Sequence, residues 1–177
     1  MGTMSKNTSK SNHVSKKAWP SVSHQDLALA VLKQFRLIFG SAKQHFRQIE
    51  ESCGISGSQL WLLHEISHGQ ESGVSELAIR LGIHQSTCSQ LVDKLEKTGL
   101  LSKSRSKLDQ RRVGLRLTPS ARKLLKRAPG PAEGILAEAL QGMRDARLKN
   151  LNANLAELIG QLARHDDRFY TKPLAEI

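Results

Sequence analysis

The spacing of apolar residues changes several times along the chain, and each spacing predicts a different element. From residue 27 to residue 49 the apolar positions fall three and four residues apart, which predicts one long amphipathic helix. Ser56 and Gln59 then have the spacing of a capping box. A second helix is therefore expected from this box to about His68, with Gly69 ending it.

Two short helical patterns separated by a glycine come next. The first is expected to begin at Ser75 and to cover residues 76–81, with Gly82 ending it in the left-handed conformation. The second is expected over about 85–98, with Gly99 just after it. A short helix, a tight glycine turn and a second helix are typical of a helix-turn-helix.

The apolar period then falls to two, which indicates β-structure. In the stretch 100–118, Val113, Leu115 and Leu117 alternate with polar or small residues and follow a polar tip. This pattern predicts a β-hairpin with one face on the helices and cations on the other. Further on, Thr118 and Pro119 form a helix start, and helical periodicity resumes over 132–143 and 147–163, after a Pro-Gly-Pro break.

The predicted fold is mainly α with a small β-hairpin wing. A hairpin directly after a helix-turn-helix makes a winged helix-turn-helix. The long N-terminal helix must bury its apolar stripe either against a dimer partner or against the core of its own chain. We expect four parts: a disordered basic tail (1–23), an N-terminal dimerisation helix (24–52), a winged helix-turn-helix DNA-binding lobe (53–127), and C-terminal helices that complete the dimerisation region (128–177). For the tail, a DNA-touching arm and a solubilising extension both stay open.

The charge of the chain narrows the class of partner. Its 177 residues carry a formal net charge of +11, which favours a polyanionic partner. The two cysteines form no Cys-x-x-Cys pair, so neither a metal nor a cofactor is expected. No apolar run has the length of a membrane span, and no signal peptide is recognisable. These features predict a cytoplasmic protein without a membrane partner.

Positive charge is concentrated in and after the predicted wing. Between residues 101 and 127, Asp109 is the one acid among Lys103, Arg105, Lys107, Arg111, Arg112, Arg116, Arg122, Lys123, Lys126 and Arg127. Solvated faces usually mix signs, so this stretch is interpreted as a phosphate-facing surface. Asp109 is expected to pair with Arg111 or Arg112 and hold its guanidinium in place.

The second helix of the motif supplies candidate base contacts. Such a helix lies in the major groove, where base edges present distinct donors and acceptors, and glutamine can pair with adenine. The candidate DNA-binding residues of this helix and the wing are His84, Gln85, Ser86, Thr87, Ser89, Gln90, Lys94, Arg105, Asp109, Arg111 and Arg112. Ordinary solvent exposure is the alternative for any one of them.

Several short motifs occur here in a fixed order: residues 74–78, Leu81-Gly82, Ser86-Thr87, 91–100 and Asp109-Gln110-Arg111-Arg112-Val113 followed by 115–119. In their order and spacing these motifs resemble those of the MarR family of bacterial transcription factors. The resemblance implies a homodimer on a pseudo-palindromic operator, with Arg111 or Arg112 as the wing arginine and Asp109 as its partner. It also implies a small aromatic or phenolic ligand in a cleft. His84 stands where the family often has a serine or aspartate cap, so a weaker or pH-sensitive cap is expected.

Two alternative mechanisms of regulation are considered: binding of a ligand and oxidation of a thiol. A ligand in the cleft would be lined by Phe39, His45, Trp61, His64 and His68, although such aromatics are more often core and such histidines more often surface. Thiol oxidation would use Cys53, expected to be exposed in a linker, and Cys88, whose helix position could lower its pKa. The spacing of Cys88 with Leu91 and Leu95 instead favours an inert buried thiol.

The sequence therefore predicts a sequence-specific double-stranded DNA-binding regulator, a repressor released by a ligand. The alternatives are a thiol-oxidation sensor of the same fold and a sequence-neutral architectural nucleic-acid binder, because charge alone supplies non-specific affinity. An enzyme is not expected, since the chain lacks a glycine-rich phosphate loop, a His-Glu-x-x-His motif and a Gly-x-Ser-x-Gly motif.

Overall fold

A computed structural model describes residues 23–69, 73–105 and 113–177. Residues 1–22 of the predicted tail and the predicted wing tip lie outside these ranges. The elements are α1 (His24–Cys53), α2 (Gly57–His68), α3 (Val74–Leu81), α4 (Gln85–Lys97), β1 (Leu101–Arg105), β2 (Val113–Leu117), α5 (Pro119–Arg127), α6 (Ile135–Gln141), α7 (Asp145–Gly160) and two 3₁₀ helices, η1 (Asp167–Thr171) and η2 (Leu174–Glu176). The chain forms two compact units, one ending at Phe35 and the other beginning at Arg36.

The first unit contains the start of α1. Ser23 begins the helix, because its hydroxyl accepts a hydrogen bond from the Asp26 amide at 3.1 Å and donates to the Asp26 carboxylate at 2.6 Å. Along this part of α1, Leu27, Leu29, Val31 and Leu32 are exposed. The helix thus begins slightly earlier than the apolar periodicity predicts, and this stretch of its apolar side chains is uncovered.

The helix starts predicted for α2 and α5 are confirmed. Ser56 and Gln59 form a capping box, with the Gln59 amide donating to Ser56 Oγ at 3.3 Å and the Ser56 amide donating to Gln59 Oε1 at 2.9 Å. Thr118 caps α5 by accepting from the Ala121 amide at 3.3 Å, and Pro119 is the first helical residue. These caps fix where the two helices enter the core.

The helix-turn-helix is formed by α3 and α4. Gly82 ends α3 in the left-handed conformation, with φ of 63°, as predicted. The helix predicted over residues 76–81, with Ser75 before it, begins two residues earlier, at Val74, because the Leu77 amide already donates to the Gly73 carbonyl at 3.1 Å. The short turn after Gly82 brings the chain directly to the start of α4.

The predicted hairpin is a two-stranded antiparallel sheet that pairs Leu101 with Leu117 and Lys103 with Leu115. Leu115 and Leu117 are buried, whereas Arg116 between them is exposed. The core that holds this hairpin against α2, α4 and α5 includes Ile49, Leu60, Leu62, Leu63, Leu77, Val92 and Leu95. The sheet and α4 are therefore held by one continuous apolar cluster.

The C-terminal helices are shorter than their periodicity predicts. The pattern over 132–143 becomes α6 only from Ile135, because Gly134 has φ of 95° and cannot continue a right-handed helix. The pattern over 147–163 becomes α7, Asp145–Gly160. No residue of α6 or α7 is buried, and α7 and its end expose Leu158, Ile159 and Leu162.

The chain continues after α7 as an ordered segment that the apolar pattern does not predict. The residues 166–177, hereafter the C-terminal segment, contain η1 and η2, and Pro173 within them is buried. Within the described ranges, no helix combines the length and the apolar character that crossing a lipid bilayer requires.

Candidate nucleic-acid interface

The N-terminus of α4 is capped by His84. Its Nδ1 accepts a hydrogen bond from the Ser86 amide at 3.3 Å and lies 2.8 Å from Ser86 Oγ. An imidazole nitrogen thus takes the place of the oxygen that serine or aspartate would supply. His84, Gln85 and Ser86 are all exposed, so the first turn of α4 presents polar groups to solvent.

The helix α4 has an apolar face and a polar face. Cys88, Leu91, Val92 and Leu95 are buried and anchor it in the core. On the remaining surface Gln90 and Lys94 are exposed, and Thr87 and Ser89 are half-buried. Sequence reasoning omitted Asp93, which is also exposed on α4 and places a carboxylate among these polar groups.

A wing lysine is tied to this carboxylate. Lys103 Nζ lies 2.8 Å from Asp93 Oδ1 and 2.7 Å from Glu96 Oε2. The hydrogen bond from Lys103 lowers the pKa of Asp93, and the two acids together raise the pKa of Lys103. The prediction that Lys103 belongs to the phosphate-facing cations is therefore corrected: the side chain faces α4, because its strand position is on the same side as Leu115.

Other predicted cations follow the strands and α5. Arg105 ends β1, Arg116 is exposed on β2, and α5 exposes Arg122, Lys123, Lys126 and Arg127. Asp109, Arg111, Arg112 and Lys107 lie outside the described residues, so the predicted pairing of Asp109 with a wing arginine stays a prediction.

The two cysteines lie in the core. Cys88 is fully buried, and desolvation raises the pKa of its thiol from 9.0 to about 11. The expectation that Cys53 is exposed in a linker is wrong, because it is the last residue of α1 and only 9% exposed. Burial and a raised pKa both disfavour the reactive thiolate that oxidation sensing by Cys88 would need.

The predicted ligand residues are spread over several places. Phe39 lines a cavity of about 420 Å³ together with Phe46, Lys43 and Arg47. Trp61 lines a second cavity of about 200 Å³, which Phe46 also lines. The other predicted ligand residues, His45, His64 and His68, contact groups of the protein itself.

The three histidines of this set make local contacts. His45 is buried and its Nε2 lies 2.9 Å from the Pro131 carbonyl oxygen. His64 and His68 lie one above the other on α2, with ring centroids 4.3 Å apart. The structure thus brings Phe39 and Trp61 to cavities, and it places the histidines in contacts within the protein.

The C-terminal segment reaches α4 and was missed by sequence reasoning. The His84 amide donates to the Thr171 carbonyl oxygen at 3.2 Å. A cleft of about 210 Å³ is lined by α4 residues Thr87, Gln90, Leu91 and Lys94 and by Lys172, Pro173 and Glu176 of the segment. A possible signal was the apolar content of Phe169, Leu174 and Ile177 beyond the last helix.

The comparisons with known proteins agree with this architecture. Residues 54–112 match the sequence model of the MarR family. The structure resembles Sco3205, a MarR family transcriptional regulator from Streptomyces coelicolor solved in complex with DNA, with a TM-score of 0.51, 20% identity, and coverage of 84% of this chain and 94% of that one. No curated protein sequence matches the chain.

Two further solved structures share the fold. The transcriptional regulator BldR from Sulfolobus solfataricus is 24% identical, with a TM-score of 0.50 and coverage of 79% of this chain and 99% of that one. YusO from Bacillus subtilis is 20% identical, with the same TM-score and the same coverage. The residues that match the MarR family model contain α3, α4 and β1 and end directly before β2, so the match covers the helix-turn-helix and the first wing strand.

Proposed function

We propose that the protein is a homodimeric, sequence-specific regulator of transcription that binds double-stranded DNA through α4 and its wing. The observation that carries the proposal is the division of α4 into a buried apolar face and an exposed polar face with a capped N-terminus. A helix held in this way presents hydrogen-bonding groups at a fixed position, as reading the major groove requires.

The proposed contacts divide into base-reading and phosphate-binding groups. His84, Gln85, Ser86, Thr87, Ser89 and Gln90 lie in the first turns of α4, the part of a recognition helix that meets base edges. Lys94 and Arg105 are proposed to bind phosphates, and Arg111 or Arg112 to enter the minor groove with Asp109 holding the guanidinium. The net charge of +11 supports a polyanionic partner.

The dimer is proposed from apolar surface that the chain leaves uncovered. Leu27, Val31 and Leu32 are exposed on α1, and Leu158 and Ile159 are exposed on α7. Helices of this kind normally bury such residues against a partner. A second copy of the chain that covers either set would give a dimer with two α4 helices for a pseudo-palindromic operator.

Release from DNA is proposed to follow binding of a small aromatic or phenolic ligand. The cavity of about 420 Å³ offers two phenyl rings, Phe39 and Phe46, and its charged lining residues are two cations, Lys43 and Arg47, and one acid, Glu50. Apolar walls with a few charged groups suit an aromatic carboxylate. We also propose that the DNA-bound protein represses transcription, because a ligand that lowers its affinity for the operator would then switch transcription on.

A sequence-neutral architectural binder is the competing function, since the exposed cations of α5 would bind any duplex. The test is selection from a genomic fragment library, followed by footprinting of the selected duplex and by titration with aromatic carboxylates. A protected site with two-fold symmetry, released by one of these compounds in the wild type but not in Arg47→Ala, is the expected result. Uniform protection along every fragment would instead favour the architectural binder.

A further inference from the structure

The C-terminal segment is docked on the winged helix-turn-helix by close contacts. Pro173 is buried, and Ala175 packs beside Gly57, where an added Cβ would lie 3.4 Å from Ala175 Cβ and 2.5 Å from the Phe46 ring. Ser56 Oγ also donates to Glu176 Oε1 at 3.3 Å. The absence of a side chain at Gly57 thus makes room for the Phe46 ring, while Ala175 lies at ordinary packing distance from the start of α2.

From this position the segment reaches the polar side of α4. Its Thr171 carbonyl accepts from the amide of His84, the N-cap residue of the helix. Lys172, Pro173 and Glu176 then line the cleft beside Thr87, Gln90 and Lys94. Four of the residues proposed to contact DNA, His84, Thr87, Gln90 and Lys94, therefore have the protein's own chain beside them.

The segment supplies acceptors where DNA would supply phosphates. The start of a recognition helix carries amide groups and a partial positive charge that attract phosphate oxygens. In this structure the carbonyl oxygen of Thr171 accepts the His84 amide, and the Glu176 carboxylate lies along the same cleft as Lys94. Lys172 of the segment lines the same cleft and offsets the charge of this carboxylate, so the segment would exclude a phosphate backbone by occupying this flank and the His84 amide.

We propose that the C-terminal segment is autoinhibitory: docked as observed, it blocks one flank of α4, and operator DNA and the docked segment exclude each other. This inference rests on the proposed function. Apparent affinity falls by the fraction of molecules that are competent to bind, so docking in nine of ten molecules would weaken operator binding about tenfold.

A substitution at Pro173 is expected to release the segment from the winged helix-turn-helix, and the same substitution at Tyr170 is a matched control. Pro173→Asp places a carboxylate in the buried docking position, whereas Tyr170→Asp adds the same charge to the same segment at a side chain that is 90% exposed. Pro173→Asp is expected to bind the selected operator about tenfold more tightly than Tyr170→Asp. Equal or weaker binding by Pro173→Asp, with unchanged thermal unfolding, would overturn the proposal.

Hydrogen exchange of the wild-type chain tests the same exclusion without a variant. The amides of Phe169, Lys172 and Glu176 donate hydrogen bonds within the segment, to Asp166, Phe169 and Pro173. We expect all three to exchange faster when operator DNA is bound. Equal or slower exchange would show that the segment stays docked on the DNA complex and would overturn the inference alone. Absence of any preferred DNA sequence for the wild type and both variants would overturn the proposed function and the inference with it.

Discussion

The Nζ of Lys103, in the first wing strand, lies 2.8 Å from the Oδ1 of Asp93 on α4. The same ammonium lies 2.7 Å from Glu96. Exposed ion pairs of this kind add little stability, because water and salt screen them. These ion pairs change the charge of the surface, because Asp93 and Glu96 on the proposed recognition helix neutralise Lys103 of the basic wing.

Freeing this lysine is expected to strengthen DNA binding. In Asp93→Asn with Glu96→Gln, two negative charges leave α4 and Lys103 becomes available to a phosphate. The slope of log affinity against log salt should steepen by up to about 0.9, the value for one additional phosphate contact. Fluorescence anisotropy at several salt concentrations measures this slope.

The control Glu51→Gln with Glu138→Gln makes the same change of net charge at exposed positions of α1 and α6. An identical slope in both double variants would contradict the prediction.

Gln90→Ala is expected to relax discrimination at one base pair of each half-site. A bidentate contact between glutamine and adenine discriminates by about 1–3 kcal/mol, so preference for that base should fall by about 5- to 150-fold. Titrations against every single-base variant of the operator measure this preference. Gln141→Ala, at an exposed position of α6, is the matched control and should leave all preferences unchanged. A uniform loss of affinity over all operator variants would assign Gln90 to the phosphates instead.

The oligomeric state should depend on the exposed apolar residues of α7. Leu158→Glu with Ile159→Glu places charges on the surface of α7 proposed to meet a second copy, so the dimer should dissociate into single chains. Sedimentation equilibrium of wild type and variant provides the measurement. Ile79→Glu is the control, because Ile79 is 81% exposed but lies on α3. A wild type that sediments as a monomer at every concentration would contradict the proposed homodimer.

The hydrogen bond that the His84 side chain accepts as N-cap of α4 is expected to stabilise the fold. Removing the acceptor in His84→Ala should lower the free energy of unfolding by about 0.5–2 kcal/mol, because the Ser86 amide loses its partner. His84→Asn should restore most of this loss, since asparagine is among the best N-cap residues. Urea unfolding of the three proteins gives these values. A similar loss in both variants would mean that the imidazole stabilises the fold through something other than the cap.

Burial of Cys88 predicts a pH dependence. Because the folded state raises the pKa of this thiol from 9.0 to about 11, the native form keeps its proton where the unfolded chain would release it. The extra stability is therefore complete below pH 9.0 and is lost as the pH rises towards about 11. The melting temperature of the wild type should fall more steeply over this window than that of Cys88→Ala. Parallel curves for the two proteins would contradict the assignment.

Cap residues and strict periodicity made much of the fold predictable. Ser56, Gly82 and Thr118 each satisfy a local backbone requirement, so the sequence around them specifies where a helix begins or ends. The hairpin was predictable because its alternating leucines pack on a core that one face of the sheet must cover.

Features that depend on long-range contacts were not predictable in this way. Lys103 looked like a phosphate ligand until the register of the strands placed it beside Leu115 and towards α4. Cys53 looked exposed because it precedes Gly54, but α1 continues to Cys53 and carries it into the core. Docking of Thr171 on His84 joins residues far apart in sequence, and no local pattern specifies such a pair.

The central claim is that α4 reads sequence, and the most direct measurement is the ratio of affinities for the selected operator and a scrambled duplex at one salt concentration. The account predicts a ratio of about 10³ or more, the lower range for specific binders. It also predicts that Gln90→Ala reduces this ratio. Equal affinities, both collapsing together as salt is raised, would show that charge alone binds the DNA and would contradict the account.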